Sequence, residues 1–222
     1  SQQASRLTQD MIDDSKRLLG LMGVSCVQAP SEGEAQATHL LRQGLVWAVG
    51  GQDWDSLMFG ADRLVRNLTI SGRRKLPRRE SYVNVKPEII NLREVLSQLG
   101  ITHDQLIVLG MLVGTDYNQG GVKGIGPKKA LQLVKEQKTL DAVLGQVPWE
   151  FKTPPHKIFD FFRNPPVEDT EIEKQTLDPE GLRKQLVEEH GFSEERVSGT
   201  LRRLGEAGEK AKQSSLGSFL GK

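Results

Sequence analysis

The sequence predicts an α/β protein in which a partial parallel sheet is followed by a helical region. Helix-type and strand-type hydrophobic patterns alternate from residue 7 to residue 49, two further strand-type patterns follow up to residue 85, and only helix-type patterns follow from residue 87. A glycine-rich turn joins two of these later helices. A strand, a helix and a strand in that order favour a right-handed crossover, and sites in such sheets lie at the carboxyl ends of the strands.

The composition is that of a globular protein with no general attraction to a polyanion. Hydrophobic residues make up 36% of the 222 residues and charged residues 27%, and 30 basic against 29 acidic residues leave a net charge of +1. Any nucleic-acid contact must therefore come from local basic patches. The single cysteine, Cys26, excludes an internal disulfide framework and indicates a reducing compartment. With neither a signal peptide nor a run of about 20 apolar residues, an intracellular, cytoplasmic location is predicted.

The first half of the chain contains the elements of the predicted sheet. In order, these are a helix at 7–23, a strand at 24–27 that buries Cys26, a helix at 31–42 and a buried strand at 45–49. Ser31 and Glu34 have the spacing of a capping box at the start of the second helix. Trp54, in the Gln-Asp-Trp-Asp stretch that follows the second strand, is expected to anchor its loop in the core.

A basic hairpin and a series of helices follow. Strands at 64–70 and 81–85 bracket a predicted tip that contains Arg73 and Arg74. Thr102 and Gln105 form a second predicted capping box. The predicted helices lie at 87–99, 102–113, 127–137, 140–144, 155–162, 179–190 and 193–208. The polar remainder, 209–222, is predicted to be disordered when free.

The glycine-rich turn at 115–129 is the clearest candidate for binding. Its glycines permit positive φ and a close backbone approach, and Pro127 suits the first position of the next helix. Free N–H groups at that helix start face an anion such as a phosphate. The predicted contributors are Gly120, Gly121, Gly124, Gly126, Lys123, Lys128 and Lys129. A helix-hairpin-helix that grips nucleic-acid phosphates without reading bases is one interpretation, and a loop between two core helices is the other.

Five acidic residues form the candidate metal site: Glu32, Glu34, Asp53, Asp55 and Asp116. Asp53 and Asp55 point to the same side of an extended strand end, which suits Mg²⁺ or Mn²⁺. Glu32 and Glu34 share the site only in an irregular first helical turn, and Glu34 is also the capping-box partner. The alternative is that these are surface carboxylates that stabilise a helix start and a loop. Their convergence favours more than one cation, a pair of which activates water against a phosphodiester.

Four motifs together resemble the flap endonuclease family in its archaeal form. They are Ala-Pro-Ser-Glu-Gly-Glu-Ala at 29–35, Gln-Asp-Trp-Asp-Ser-Leu-Met-Phe-Gly at 52–60, Arg-Asn-Leu-Thr-Ile-Ser-Gly-Arg-Arg-Lys-Leu-Pro at 66–77, and Val-Gly-Thr-Asp-Tyr-Asn with Gly-Ile-Gly-Pro-Lys-Lys-Ala at 113–130. The resemblance implies a PIN-like nuclease core and a Mg²⁺-dependent enzyme that cuts 5′ flaps in replication and repair. The metal-site positions of the family fall on the acidic residues named above. Its glycine-rich turn binds duplex DNA and often a K⁺ ion.

The tail resembles a motif that binds the sliding clamp. Gln213, Leu216, Phe219 and Leu220 match the pattern Gln-x-x-aliphatic-x-x-aromatic-aromatic, with Leu220 at the second aromatic position. A short tail that folds on binding suits such a role. The alternative is a frayed terminus with scattered apolar residues.

Members of the family carry a further half-nuclease before the matched region. The resemblance thus divides the chain into the C-terminal half of the nuclease core at 1–104, a DNA-docking region at 105–165, C-terminal helices at 166–208 and a clamp-binding tail at 209–222. It implies that cleavage requires the other half, on another chain or in a longer one, and that apolar faces around 46–49 lie open without it. Two alternatives are an adaptor that binds DNA and the clamp without catalysis, and a small-molecule phosphohydrolase.

Overall fold

The computed structural model describes residues 7–69, 72–75 and 82–220, and the chain forms two compact units. One unit is Gln28–Asp169, and the other combines Ser1–Val27 with Thr170–Lys222. These units do not follow the boundaries predicted after residues 104 and 165. Those boundaries describe functional regions and stay a prediction.

All the described strands lie before residue 92, mixed with three helices, and the described elements after it are helical. The strands are β1 Val49–Gly50, β2 Arg63–Arg66, β3 Gly72–Lys75, β4 Tyr82–Val85 and β5 Glu88–Asn91. The helices are α1 Gln9–Leu21, α2 Gly33–Arg42, α3 Asp55–Met58, α4 Leu92–Leu99, α5 His103–Val113, α6 Pro127–Gln137, α7 Leu140–Leu144, α8 Pro155–Arg163, α9 Pro179–Arg183 and α10 Glu194–Leu220, with a π-helical stretch at Lys184–Glu189. The predicted α/β class is confirmed, and so are the helices at 127–137 and 140–144.

The sheet of the larger unit is mixed, whereas the sequence predicts a parallel one. β1 pairs with β2 in parallel, and β2 pairs with β5 in the antiparallel direction. Val49, Leu64 and Ile90 stand opposite one another in this register and are all buried. One row of apolar side chains thus lies across the three strands, and β1 directs the chain into the loop that carries Asp53 and leads to Asp55 at the start of α3.

The helix predicted at 87–99 is wrong in its first part, which forms β5. The β-branched Ile89 and Ile90 pair with Val65 and Leu64 of β2, an arrangement that suits strands better than helices. The helix starts only at Leu92, because the Asn91 side chain accepts hydrogen bonds from the Arg93 and Glu94 amides and caps it there.

The predicted hairpin has different strands from those expected. β3 pairs with β4, so Gly72 faces Val85, while β2 pairs with β5 instead. Arg73 and Arg74 consequently lie in a strand rather than at the tip. The tip itself, at 76–81, lies outside the described residues.

The strand predicted at 24–27 is also wrong. Residues 24–27 form no strand. An isolated antiparallel bridge between Met22 and Leu177 lies just before them. Val24 and Cys26 are exposed, because no neighbouring strand covers them there. The strand at 45–49 is likewise shorter than predicted, and Leu45 and Trp47 remain exposed while Val49 is buried.

Helix α5 forms the centre of the helical part of the larger unit. Its buried residues Ile107 and Met111 pack with Met58, Phe59 and Phe162. The predicted capping box at its start is confirmed, since the Gln105 amide donates to Thr102 Oγ1 (3.2 Å) and the Thr102 amide donates to Gln105 Oε1 (2.8 Å). Among the described residues, no single helix has the length and hydropathy to cross a membrane, although the bent pair α4 and α5 together meets those two measures.

The smaller unit joins the first helix to the last ones. The buried Gln185 donates to the Asp14 carbonyl oxygen (3.1 Å), and Arg17 forms an ion pair with Glu189 at 2.7 Å. The hydrogen bond from Arg17 lowers the pKa of the Glu189 carboxyl. Helix α10 continues to Leu220, past the predicted end at Gly208, and residues 209–213 are good helix formers with no proline in the segment up to residue 220.

Candidate active site

The glycine-rich turn connects α5 to α6, and at two of its glycines a Cβ atom would also collide with backbone. A Cβ atom on Gly121 (φ +63°) would lie 2.2 Å from the Val113 carbonyl oxygen. A Cβ atom on Gly114 (φ +123°) would lie 2.7 Å from the Gly121 amide nitrogen. The backbone of the turn therefore folds back on the end of α5. Gly126, in contrast, is the N-cap of α6 and has an ordinary φ of −88°. Its backbone conformation therefore does not require glycine.

A buried asparagine closes this turn. Asn118 is 2% exposed, and its Oδ1 accepts hydrogen bonds from the Thr115 amide (3.2 Å) and the Thr115 hydroxyl (2.7 Å). Its Nδ2 donates to the Met111 carbonyl oxygen at 2.6 Å. The sequence prediction did not single out Asn118. The signal was present, because asparagine between turn residues commonly bonds nearby backbone.

The predicted phosphate contacts lie on the outside of the turn. Lys123, Lys128 and Lys129 are exposed, as are Gly124 and Gly126. In the part of the chain that the structure describes, none of these lysines forms a salt bridge. Their charges are thus available to an anion beside the start of α6.

The acidic residues singled out in the sequence line one cleft of about 760 Å³ in the larger unit. Glu32 is the N-cap of α2 and Glu34 lies in its first turn, Asp53 follows β1, Asp55 begins α3, and Asp116 follows α5. The cleft is also lined by Thr115, Tyr117, Gly120 and Pro127, so it adjoins the glycine turn. The convergence expected from the sequence is therefore present in the structure.

Like charges in this cleft act on one another. The pKa of the Asp55 carboxyl is raised, first by burial and then by the charges of Asp116, Asp53, Glu34 and Glu32. Each of the other carboxylates therefore makes ionisation of Asp55 less favourable. A bound cation would relieve this repulsion.

Glu32 is oriented by a tyrosine that the sequence analysis did not name as a site residue. The Tyr117 hydroxyl donates a hydrogen bond to Glu32 Oε1. The pKa of this phenol is raised, by burial and then by its hydrogen bond to Glu32. The Tyr117 ring packs against Phe161, with centroids 4.9 Å apart.

The capping box predicted from Ser31 and Glu34 is wrong, because Glu32 is the N-cap and no side chain caps the helix.

The cleft suits a hard cation by donor type but does not enclose one with protein ligands alone. All the candidate donors are carboxylate oxygens, which Mg²⁺ and Mn²⁺ prefer. Within the described residues, no three His, Cys, Asp or Glu side chains form a group that holds an ion directly. Mg²⁺ commonly keeps several waters and binds one or two carboxylates, so this spacing fits an ion held partly through water.

Trp54 does not anchor its loop in the core as expected. It is 50% exposed and lines the cleft. The guanidinium carbon of Arg66 lies 4.3 Å from the centroid of its ring, and Arg66 Nε donates to the Gln52 carbonyl oxygen at 3.0 Å. The indole is thus held from one side by a residue of β2.

Two groups of predicted residues cannot be compared with the structure in this way. The side chains of Arg73 and Arg74, predicted to bind DNA, lie outside the described part of the structure, although their backbone belongs to β3. The same holds for the side chains predicted to bind a clamp, whose backbone belongs to α10. These are Gln213, Leu216, Phe219 and Leu220.

The sequence is similar to those of known proteins. Residues 23–116 match the XPG I-region family. The chain is 52% identical over 217 residues to flap endonuclease 1 of Staphylothermus marinus. The aligned region covers 96% of this chain and 62% of that protein.

Solved structures give the same result for the fold. The flap endonuclease-1 structure from Methanococcus jannaschii is similar with a TM-score of 0.75 and 40% identity, over 92% of this chain and 60% of that one. The catalytic core of Rad2, solved in complex with a DNA substrate, shares the fold at 23% identity with a TM-score of 0.72, over 91% of this chain and 70% of that one. The chain spans about three fifths of the length of the flap endonuclease that it matches in sequence.

Proposed function

The chain is a homologue of the flap endonucleases over nearly its whole length, and from that premise we propose that it carries the metal-binding and DNA-docking parts of a structure-specific nuclease. The whole enzyme would cut 5′ flaps, and degrade DNA from 5′ ends, during replication and repair. The observation that carries this proposal is the single cleft in which five carboxylates meet beside the glycine turn.

In this proposal Glu32, Glu34, Asp53, Asp55 and Asp116 hold divalent cations, Mg²⁺ or Mn²⁺. Such ions supply an activated water and neutralise charge on the phosphate. The residues of this chain do the rest: the carboxylates position the ions, Tyr117 fixes the orientation of Glu32 through its hydrogen bond, and the apolar wall formed by Met58 and Phe162 limits the entry of water.

The glycine turn would bind duplex DNA as a helix-hairpin-helix. Lys123, Lys128 and Lys129 supply positive charge, and the exposed backbone at Gly124 and Gly126 allows a phosphate to approach the start of α6. Backbone carbonyls of the turn would hold a K⁺ ion. Arg73 and Arg74 of β3 would add further phosphate contacts. Because the turn adjoins the cleft at Asp116, the bound duplex would set the position of the cut.

The end of α10 would bind a sliding clamp through Gln213, Leu216, Phe219 and Leu220. The support for this is the spacing of these residues in the sequence. Binding to DNA and to a clamp would associate the protein with the nucleoid.

A second candidate function is an adaptor that binds DNA and the clamp without cleaving. One observation favours it. Among the described residues, no three His, Cys, Asp or Glu side chains are close enough together to hold an ion directly. The adaptor requires no divalent cation, and its DNA binding does not depend on Asp53 or Asp55.

A cleavage assay separates the two functions. The chain is incubated with Mg²⁺ and a labelled 5′-flap duplex, and a parallel arm adds the region of a relative that this chain does not cover. We expect cleavage at the flap junction that Asp53→Asn reduces by about 10³-fold or more, while the matched exposed aspartate variant Asp62→Asn keeps its activity. Absence of cleavage in both arms, with DNA binding retained, would favour the adaptor.

A further inference from the structure

Two exposed tryptophans of the larger unit are each covered by an arginine of β2. The guanidinium carbon of Arg63 lies 4.8 Å from the ring centroid of Trp47, and that of Arg66 lies 4.3 Å from the ring centroid of Trp54. Trp47 is 60% exposed and Trp54 is 50% exposed. The two pairs differ in position, because Trp54 lines the carboxylate cleft and Trp47 does not.

The indole of Trp54 is held in place before any ligand arrives. The residue is the N-cap of α3 and stands between Asp53 and Asp55, so its backbone is fixed by the helix start. Arg66 covers one side of the ring and is itself bonded to the Gln52 carbonyl oxygen. Trp54 is 50% exposed and lines the cleft. A rigid aromatic surface of this kind binds a flat partner at little cost in conformational entropy.

The chemistry around Trp54 selects the kind of partner. Trp54 shares the cleft with Glu32, Glu34, Asp53, Asp55 and Asp116, and these carboxylates disfavour a further negative charge against the ring. An uncharged planar group suits the position better, and a nucleobase has the π-face that stacks on an indole. The Arg66 guanidinium over the ring strengthens the platform through a cation–π contact.

We propose that Trp54, supported by Arg66, is a stacking platform for an unpaired nucleobase adjacent to the phosphate that is cleaved. The inference rests on the proposed nuclease function, since it needs a DNA strand in the cleft. It adds a base contact to a site otherwise built for phosphates. The contact is independent of base identity, because every base has a π-face.

The first test detects stacking directly. The full chain is mixed with a 5′-flap duplex in which 2-aminopurine replaces, in turn, each nucleotide that flanks the flap junction, with Ca²⁺ present. We expect the fluorescence of at least one probe to fall on binding, because stacking quenches it. The fall is lost in Trp54→Ala and partly retained in Trp54→Phe. Trp47→Ala, the matched variant outside the cleft, behaves like the wild type.

The second test measures the coupling between the indole and the base. Affinity is determined for wild type and Trp54→Ala on the flap duplex and on a duplex with an abasic site at the quenched position. Trp54→Ala should weaken binding to the intact duplex by about 5-fold or more, the lower range for one stacked base, and should have little effect on the abasic duplex. Thermal unfolding of each variant checks that the fold is kept.

Several outcomes would overturn the inference. Equal weakening on both duplexes would mean that Trp54 only supports its loop, and equal behaviour of Trp47→Ala and Trp54→Ala would remove the link to the cleft. Failure of every probe to respond while the wild type binds DNA would overturn the stacking platform alone. If the wild type binds no flap DNA, the proposed function fails together with this inference.

Discussion

The glycine turn and the carboxylate cleft adjoin at Asp116, but different interactions hold them together. The turn is closed by hydrogen bonds among residues close in sequence, such as those of Asn118 with Thr115 and Met111. The cleft depends on residues distant in sequence, and the bond from Tyr117 to Glu32 spans 85 positions. The turn is therefore a local structure, whereas the cleft exists only when the whole larger unit is folded.

The electrostatics of the two regions are also opposite. In the turn the donors and acceptors satisfy each other, and the exposed lysines stand apart from the buried network. In the cleft the pKa of Asp55 is raised first by burial and then by the like charges of the other carboxylates. We expect the turn to keep its structure without ligands and the cleft to gain stability when a cation binds.

Gly121→Ala should produce the largest effect, because it breaks the local closure of the turn. The new Cβ would lie 2.2 Å from the Val113 carbonyl oxygen at a φ of +63°. Strain and the forced shift of backbone should lower the free energy of unfolding by at least about 3 kcal/mol. Chemical denaturation measures the loss.

Gly124→Ala is the matched control for that substitution. Gly124 also has a positive φ, +77°, but a Cβ there meets no atom within 4 Å. Only the conformational cost should remain, about 1 kcal/mol. Equal losses in the two variants would contradict the idea that backbone contact with α5 closes the turn.

Asn118→Ala should have the next largest effect, because it removes the side chain that closes the turn. The Thr115 amide and the Met111 carbonyl oxygen lose a buried partner. The expected loss in the free energy of unfolding is about 2 kcal/mol. Asn84→Ala, at an exposed position of β4, should change stability by less than about 0.5 kcal/mol. A loss as small in Asn118→Ala would show that the network does not stabilise the turn.

The same contrast explains what the sequence could predict. The helix bounds around the turn and the Thr102 capping box follow from local patterns, and both are confirmed. Convergence of the carboxylates was expected from strand ends that share an edge, but only Asp53 and Asp55 follow a strand, while Glu32 and Glu34 begin α2 and Asp116 follows α5. The antiparallel partner of β2 was not, since Ile89 and Ile90 suit either an apolar helix face or a strand until Leu64 and Val65 are beside them. The link from Tyr117 to Glu32 left no local signal.

Tyr117→Phe tests whether that distant contact prepares the cleft for a cation. The variant keeps the ring packing on Phe161 and loses only the hydroxyl that bonds Glu32. Affinity for Mn²⁺ should fall by about 10-fold, as is typical when the partner of a metal ligand is removed. Calorimetric titration with Mn²⁺ measures the change. Tyr82→Phe, in β4, is the control and should titrate like the wild type. Unchanged affinity in Tyr117→Phe would mean that Glu32 needs no orientation.

Lys128→Ala should have the smallest effect and touches only the outer surface of the turn. Lys128 is exposed in the first turn of α6, so stability should be nearly unchanged. If the lysine contacts one phosphate, flap-duplex affinity should fall a few-fold for all sequences alike. The slope of log affinity against log salt should shrink by about 0.9. Lys135→Ala, in the last turn of the same helix, should leave that slope intact. A change in sequence preference rather than in salt dependence would mean that Lys128 contacts bases. The turn would then bind bases as well as phosphates.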